Sequence, residues 1–179
     1  MKLRKLANAA LVAFVLMPVT IASPITTPSA IAQSSTQSVA NELQGALSEL
    51  RQNTDLPILL PAKLPSDSEQ LYVQQFADKS SYSVEIGYTP ECSGSACFVG
   101  SFSASRESYG QEGDTITLAK GIKGYFLEVT CSHCGDSSLT WKQNGVSYQI
   151  RYKVQVETRK QVLNEMLRMA NSAIKAGPR

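Results

Sequence analysis

Apolar and polar residues alternate with period two through the centre of the chain. Tyr82, Val84, Ile86 and Tyr88 would share one side of an extended strand, opposite Ser81, Ser83, Glu85 and Gly87. Ala96, Phe98, Gly100, Phe102 and Ala104 repeat the pattern, and Tyr125, Leu127, Val129 and Cys131 repeat it again. Half-buried strands are the expectation for all three. Between them, Gly110, Gly113 and Asp114 mark a loop that turns back into a short strand from Thr115 to Leu118. The last hairpin is the most specific element. Asn144-Gly145 suits a two-residue type I′ turn, which would pair Gln143 with Val146 and Trp141 with Tyr148. That register puts Leu139, Trp141, Val146, Tyr148, Ile150, Tyr152, Val154 and Val156 on one face, so turn chemistry and hydrophobic pattern agree independently.

The pattern changes to helical spacing at both ends of this region. Val39, Leu43, Ala46, Leu47 and Leu50 form one stripe, with Ser38 at the N-cap position. Leu163, Met166, Leu167, Ala170, Ala173 and Ile174 form another, opened by a Thr158/Gln161 capping box and stopped by Gly177-Pro178. Between the first helix and the strands, Pro57, Pro61 and Pro65 punctuate an aliphatic run, Leu56 to Leu64. Proline at that interval denies both helix and central strand, so the run is expected to be an extended strap across the edge of the core. The elements predict an α+β fold over 39–179: a single antiparallel β-sheet flanked by an N-terminal and a C-terminal helix, one face covered and the other wet.

Ahead of this domain, Lys2, Arg4 and Lys5 precede an uncharged apolar stretch from Leu6 to Ala22, then a proline-containing segment ending in Ala30-Ile31-Ala32. Basic, apolar and small-residue regions in that order predict a signal peptide over 1–32, cleaved before Gln33, and a flexible leader over 33–38. Cleavage would remove three positive charges and turn the formal charge from +2 to −1, with 14 basic against 15 acidic residues. A chain so balanced has no global field to bring it to nucleic acid or an anionic membrane, and no stable membrane insertion is expected after cleavage. An exported destination, periplasmic, secreted or otherwise extracytoplasmic, follows.

Export bears on the four cysteines, Cys92 and Cys97 in ECSGSAC and Cys131 and Cys134 in CSHCG. In an oxidising compartment they would form two disulfides, and of the three pairings the short spacings favour two local bridges. Redox chemistry is the alternative. A C-x-x-C pair with His133 beside Cys134 looks like the motif of thiol-disulfide oxidoreductases, where a nearby cation lowers the attacking thiol's pKa. In those enzymes the motif opens a helix, whereas here Gly135-Asp136-Ser137-Ser138 leads into a hairpin strand. A four-cysteine zinc site has the right ligand count but an unfavourable first spacing and an oxidising setting, so neither metal nor cofactor is expected.

His133 is the one histidine, so a histidine-based triad would have to be built inside an expected disulfide loop. No sequence spacing pairs carboxylates, and no glycine loop suits a phosphate. The chain therefore reads as non-enzymatic. Lys142, Arg151 and Lys153 project from the polar side of the last hairpin as a candidate binding surface. Any part of the aromatic face left uncovered would form a groove, so the partner expected is a protein or a small apolar ligand.

The run Leu139-Thr140-Trp141, Asn144-Gly145, Tyr148 and then Leu167, Met169-Ala170-Asn171-Ser172 resembles the closing segment of a family of exported or membrane-tethered bacterial domains of unknown function. In that family a W-x-x-x-G-x-x-Y hairpin precedes a final helix. The chain is also similar in style to uncharacterised exported proteins of cyanobacteria. The resemblance implies an exported or membrane-tethered domain and no particular activity.

Overall fold

In the computed structural model, which describes residues 39–65, 70–129, 136–153 and 158–179, the Asn144-Gly145 turn sets the register of the last hairpin. Both residues take positive φ, 52° and 79°, as a type I′ turn requires. Strands β6 (Ser137–Gln143) and β7 (Val146–Tyr152) then pair Gln143 with Val146, Trp141 with Tyr148 and Leu139 with Ile150. Trp141 stacks on Tyr148 with ring centroids 5.4 Å apart.

Five further strands complete one antiparallel sheet: β1 (Tyr72–Ala77), β2 (Ser81–Gly87), β3 (Phe98–Ser105), β4 (Asp114–Thr117) and β5 (Lys123–Leu127). The spatial order β1-β2-β3-β7-β6-β5-β4 describes two meanders, β1 to β3 and β4 to β7, joined along the single non-local pair β3/β7. Side-chain sizes match across that seam. Tyr152 lies opposite Gly100, Ile150 opposite Phe102 and Tyr148 opposite Ala104. A Cβ at Gly100 would stand 2.3 Å from the Tyr152 ring, so no larger residue fits without displacing it.

Two helices accompany the sheet. A 3-10 turn, Asn41–Leu43, leads into α1 (Gln44–Asn53), and α2 spans Arg159–Ala176. The expected capping box is present: the Gln161 amide donates to Thr158 Oγ1, and the Thr158 amide to Gln161 Oε1. Ser38, expected as the first helix's cap, lies outside the described residues. The helical turns begin at Asn41, after Ala40, with no side-chain cap. Met169 joins the buried stripe of α2, while Leu163 and Leu167 are only partly buried. Asn171 Oδ1 accepts the Ala119 amide at 2.6 Å, and Arg159 contacts Asp114, Glu128 at 2.8 Å and the Phe126 ring at 5.5 Å.

The strap is buried more deeply than an edge crossing. Leu56, Ile58, Leu59, Leu60 and Leu64 are core residues in the same apolar cluster as both helices and the sheet. Buried irregular backbone must find hydrogen-bond partners, and here most come from side chains. Tyr148 Oη donates to Pro57 O at 3.0 Å, and the Leu59 amide donates to Tyr82 Oη at 3.0 Å. The Ala62 amide reaches Ser172 Oγ of α2 at 3.2 Å, while the Ala40 and Arg179 amides donate to Pro61 O and Ile58 O. Pro57 and Pro61 carry no N–H, which shortens the list of donors to be satisfied.

Two expectations about facing are corrected. In β5 the apolar face carries Gly124 and Phe126, opposite Trp141 and Leu139, so Tyr125 and Leu127 point to the other side. Phe126 is the residue that fills the core. In β3 the pairing with β2 skips Val99, a β-bulge between Gly100 opposite Ile86 and Phe98 opposite Gly87. The extra residue reverses alternation, so Val99 is buried and Phe98 shares the outer face with Arg151. Val154 and Val156 lie outside the described residues.

Burial pushes the Tyr148 phenol up to about 12 and raises that of Tyr82 further, because a phenolate in the core loses its hydration. An unfolded tyrosine ionises near its ordinary value of 10.0, so this contribution to stability is complete below that pH and is lost as pH rises through about 12. Urea unfolding of Tyr148→Phe should show a loss of about 1–3 kcal/mol at neutral pH, from the unpaired Pro57 carbonyl. It should also show a shallower alkaline decline than the parent protein.

Candidate functional site

The sheet has one apolar and one polar face, and the register places every residue on one of them. On the apolar side, Tyr82, Phe102, Phe126, Trp141, Tyr148 and Tyr152 are all buried. The aromatic residues on which an apolar groove would have depended therefore serve the core.

Three cross-strand rows form the other face. The first runs Gln74, Glu85, Ser101, Arg151, Ser138 and Leu127, and the second Phe76, Ser83, Ser103, Gln149, Thr140 and Tyr125. Ser81, Ser105, Ser147 and Lys142 make the third. Short hydroxyl side chains occupy the middle, and larger groups stand at the margins. Phe76 is 58% exposed and Leu127 39%, the two large apolar side chains most open to solvent among the described residues.

Of the predicted basic surface, Lys142 pairs with Ser147 whereas Arg151 pairs with Ser138. Four residues separate Ser147 from Arg151 along β7, roughly 13 Å at strand rise. The two cations therefore stand at opposite ends of the face. Arg151 is committed locally: its guanidinium lies 5.2 Å from the Phe98 ring centroid and 3.0 Å from Asp136, whose side chain is buried. Lys153 donates through Nζ to Ser95 O and through its amide to Val99 O at 2.8 Å. Lys142 is exposed.

Two loops border the hydroxyl rows. The first, residues 88–97, is closed by the Cys92–Cys97 disulfide and spans from β1, where Gln74 Nε2 donates to Pro90 O, to Lys153 beyond β7. Gly87 lets it sit close, since a Cβ there would stand 2.7 Å from Cys92 Cβ. Beneath the loop is a shallow, open depression bounded by Tyr72, Gln74, Glu85, Thr89 and Phe98. The second loop, residues 106–113, lies over the far side, where Thr140 Oγ1 donates to Gly110 O at 3.1 Å. Ser147 and Thr140 are buried, so the polar face is wet only in part, contrary to expectation. A shallow depression beside that loop is bounded by Tyr109, Gln111, Tyr125 and Lys142.

Several of these residues had no signal in the hydrophobic pattern. Strand β1 was not expected, because Tyr72 and Phe76 point outward while Val73 and Ala77 point inward, which erases alternation. Tyr109 and Gln111 are loop residues placed by long-range hydrogen bonds, from the Arg106 amide to Ser80 O and from Thr140 Oγ1 to Gly110 O. Cys131, His133 and Cys134, which carry the thiol-disulfide alternative, lie outside the described residues. Among the described residues, no three acidic, histidine or cysteine side chains cluster as a metal site, and no helix is long and apolar enough to cross a membrane. The chain matches no protein-family model, no curated protein and no solved structure.

The disulfide closes a short loop, so its contribution to global stability should be about 2 kcal/mol at most. Replacing Cys92 and Cys97 together by serine should leave the sheet folded. Hydrogen exchange is expected to quicken ~tenfold or more within residues 88–97 and to stay unchanged in β7. Equal acceleration in both segments would show that the bridge supports the whole fold rather than the loop.

Proposed function

We propose that this chain is an exported, non-catalytic interaction domain that engages a partner protein through the polar face of its sheet. In this reading the N-terminal and C-terminal helices flank the sheet on the apolar side, and the opposite face is left for binding. One observation carries the proposal: the aromatic face is consumed by the core, while the hydroxyl-rich face stays partly open between two anchored loops. Short side chains at Ser83 and Ser103, both partly exposed, give a low floor that a partner's side chains can approach. Gln74 and Gln149 add amides able both to donate and to accept. The charge on the floor is largely neutralised where Arg151 meets Asp136, so shape and hydrogen bonding, more than field, would select the partner.

Export is part of the same proposal and rests on the order of basic, apolar and small residues over 1–32. N-terminal sequencing of the protein recovered from its host should begin at Gln33.

A photo-reactive amino acid at Ser103 or Gln149 should yield a discrete cross-linked partner in the native host, and the same probe at exposed Lys160 of α2 should not. Adducts from Lys160 alone would move the binding surface to the helices.

A further inference from the structure

The two edges of the sheet are protected very differently. At one end β4 is four residues long, and Asp114 on it is paired with Arg159 of α2. Short length and edge charge are the devices by which sheets avoid adding strands. At the other end β1 runs six residues, Tyr-Val-Gln-Gln-Phe-Ala, with no charge and no proline, and every residue is at least partly exposed. It ends the strand order, its one strand neighbour is β2, and α1 packs against it while leaving each of its residues partly exposed.

Hydrogen-bond phase tells which groups on β1 are open. The Asp78 amide donates to Ser81 O across the β1–β2 turn, so the bonded pairs continue as Phe76 with Ser83, Gln74 with Glu85 and Tyr72 with Gly87. The N–H and C=O groups of Val73, Gln75 and Ala77 therefore point away from β2, and no hydrogen bond in the described structure engages them.

We infer that β1 pairs with β1 of a second copy of this chain, antiparallel about a two-fold axis at Gln74, joining two seven-stranded sheets edge to edge. The sequence of the strand is self-complementary in that register. Leu71 meets the partner's Ala77 and Val73 meets the partner's Gln75, so the outward groups bond in about eight main-chain hydrogen bonds. On the polar face, exposed Phe76 lies beside the partner's Tyr72, an aromatic pair of the kind that stabilises neighbouring strands. Gln74 meets the partner's Gln74, and each keeps an amide oxygen and a second N–H for the other while Nε2 donates to Pro90 O of its own chain. No charged residue stands in the register from Leu71 to Ala77, so nothing repels across the axis. The depression beside Tyr72 and Gln74 would then border the axis, and the partner's Phe76 would help to close it. The inference stands apart from the identity of any binding partner.

Because Gln74 faces its own symmetry mate, charge at this position tests the register directly. Sedimentation of the purified protein should show a reversible dimer at concentrations up to about 100 μM. Gln74→Lys and Gln74→Glu should each shift it to monomer by placing like charges opposite one another, and mixing the two variants should restore the dimer. Recovery on mixing also reports that both variants fold. Gln75→Pro gives a second reading, since it removes an outward N–H and leaves the β1–β2 bonds intact, and it too should yield monomer. A monomeric parent protein, a dimer that survives these substitutions, or no recovery on mixing would each overturn the inference.

Discussion

The structure depends on how an extended, proline-punctuated segment is accommodated inside a protein. A buried chain without regular structure leaves peptide groups with no ladder partner, and each unpaired group costs free energy comparable to several methylenes of burial. Here the sheet supplies the partners through the long arms of Tyr82 and Tyr148, and α2 supplies one through Ser172. These tyrosines therefore act as struts: their rings fill the core and their hydroxyls receive or hold the strap's backbone. Proline at 57 and 61 serves the same end by removing donors that would otherwise have to be met. The layer between sheet and helices is thus aliphatic in its side chains and polar in its backbone, and the aromatic residues of the sheet's apolar face are committed to it.

How far the fold could be read from sequence depended on whether independent signals coincided. At Asn144-Gly145, turn geometry and alternation on both flanking strands agree, and pairing, register and buried face all follow. The Thr158/Gln161 capping box and the stripe on α2 are similarly redundant. Where a single pattern stood alone it misled. Lys123 to Leu127 alternates acceptably in either phase, and only the long-range pairing of Phe126 with Leu139 decides which side is buried. A bulge at Val99 breaks the period within β3, so Phe98 left the core face without any local warning. The strap's extended form was legible in its prolines, but its depth was not, since depth is set by partners 23 and 91 residues away.

For the candidate site the position is reversed: the hydroxyl rows were visible as the polar half of each strand, yet the features that bound them were not. Loop 106–113 is held over the face by Thr140, and the disulfide loop is held at β1 through Pro90 and just beyond β7 through Ser95. Long-range hydrogen bonds to backbone carbonyls leave almost no trace in composition. The basic residues that were most conspicuous in sequence are distributed along the face, with Arg151 absorbed by Asp136 and Phe98. A charge pattern along one strand says which side a cation takes but not which neighbour neutralises it.

The seam between β3 and β7 also has a consequence for the order in which the molecule can be completed. Each meander is made of neighbours in the chain, but the two are welded only when Tyr148, Ile150 and Tyr152 reach Ala104, Phe102 and Gly100. A nascent polypeptide that has not yet emerged past residue 152 therefore holds two incomplete ribbons and an uncovered strap. Until its final segment is made, such a chain lacks both the seam and the α2 hydroxyl that meets the strap's Ala62 amide.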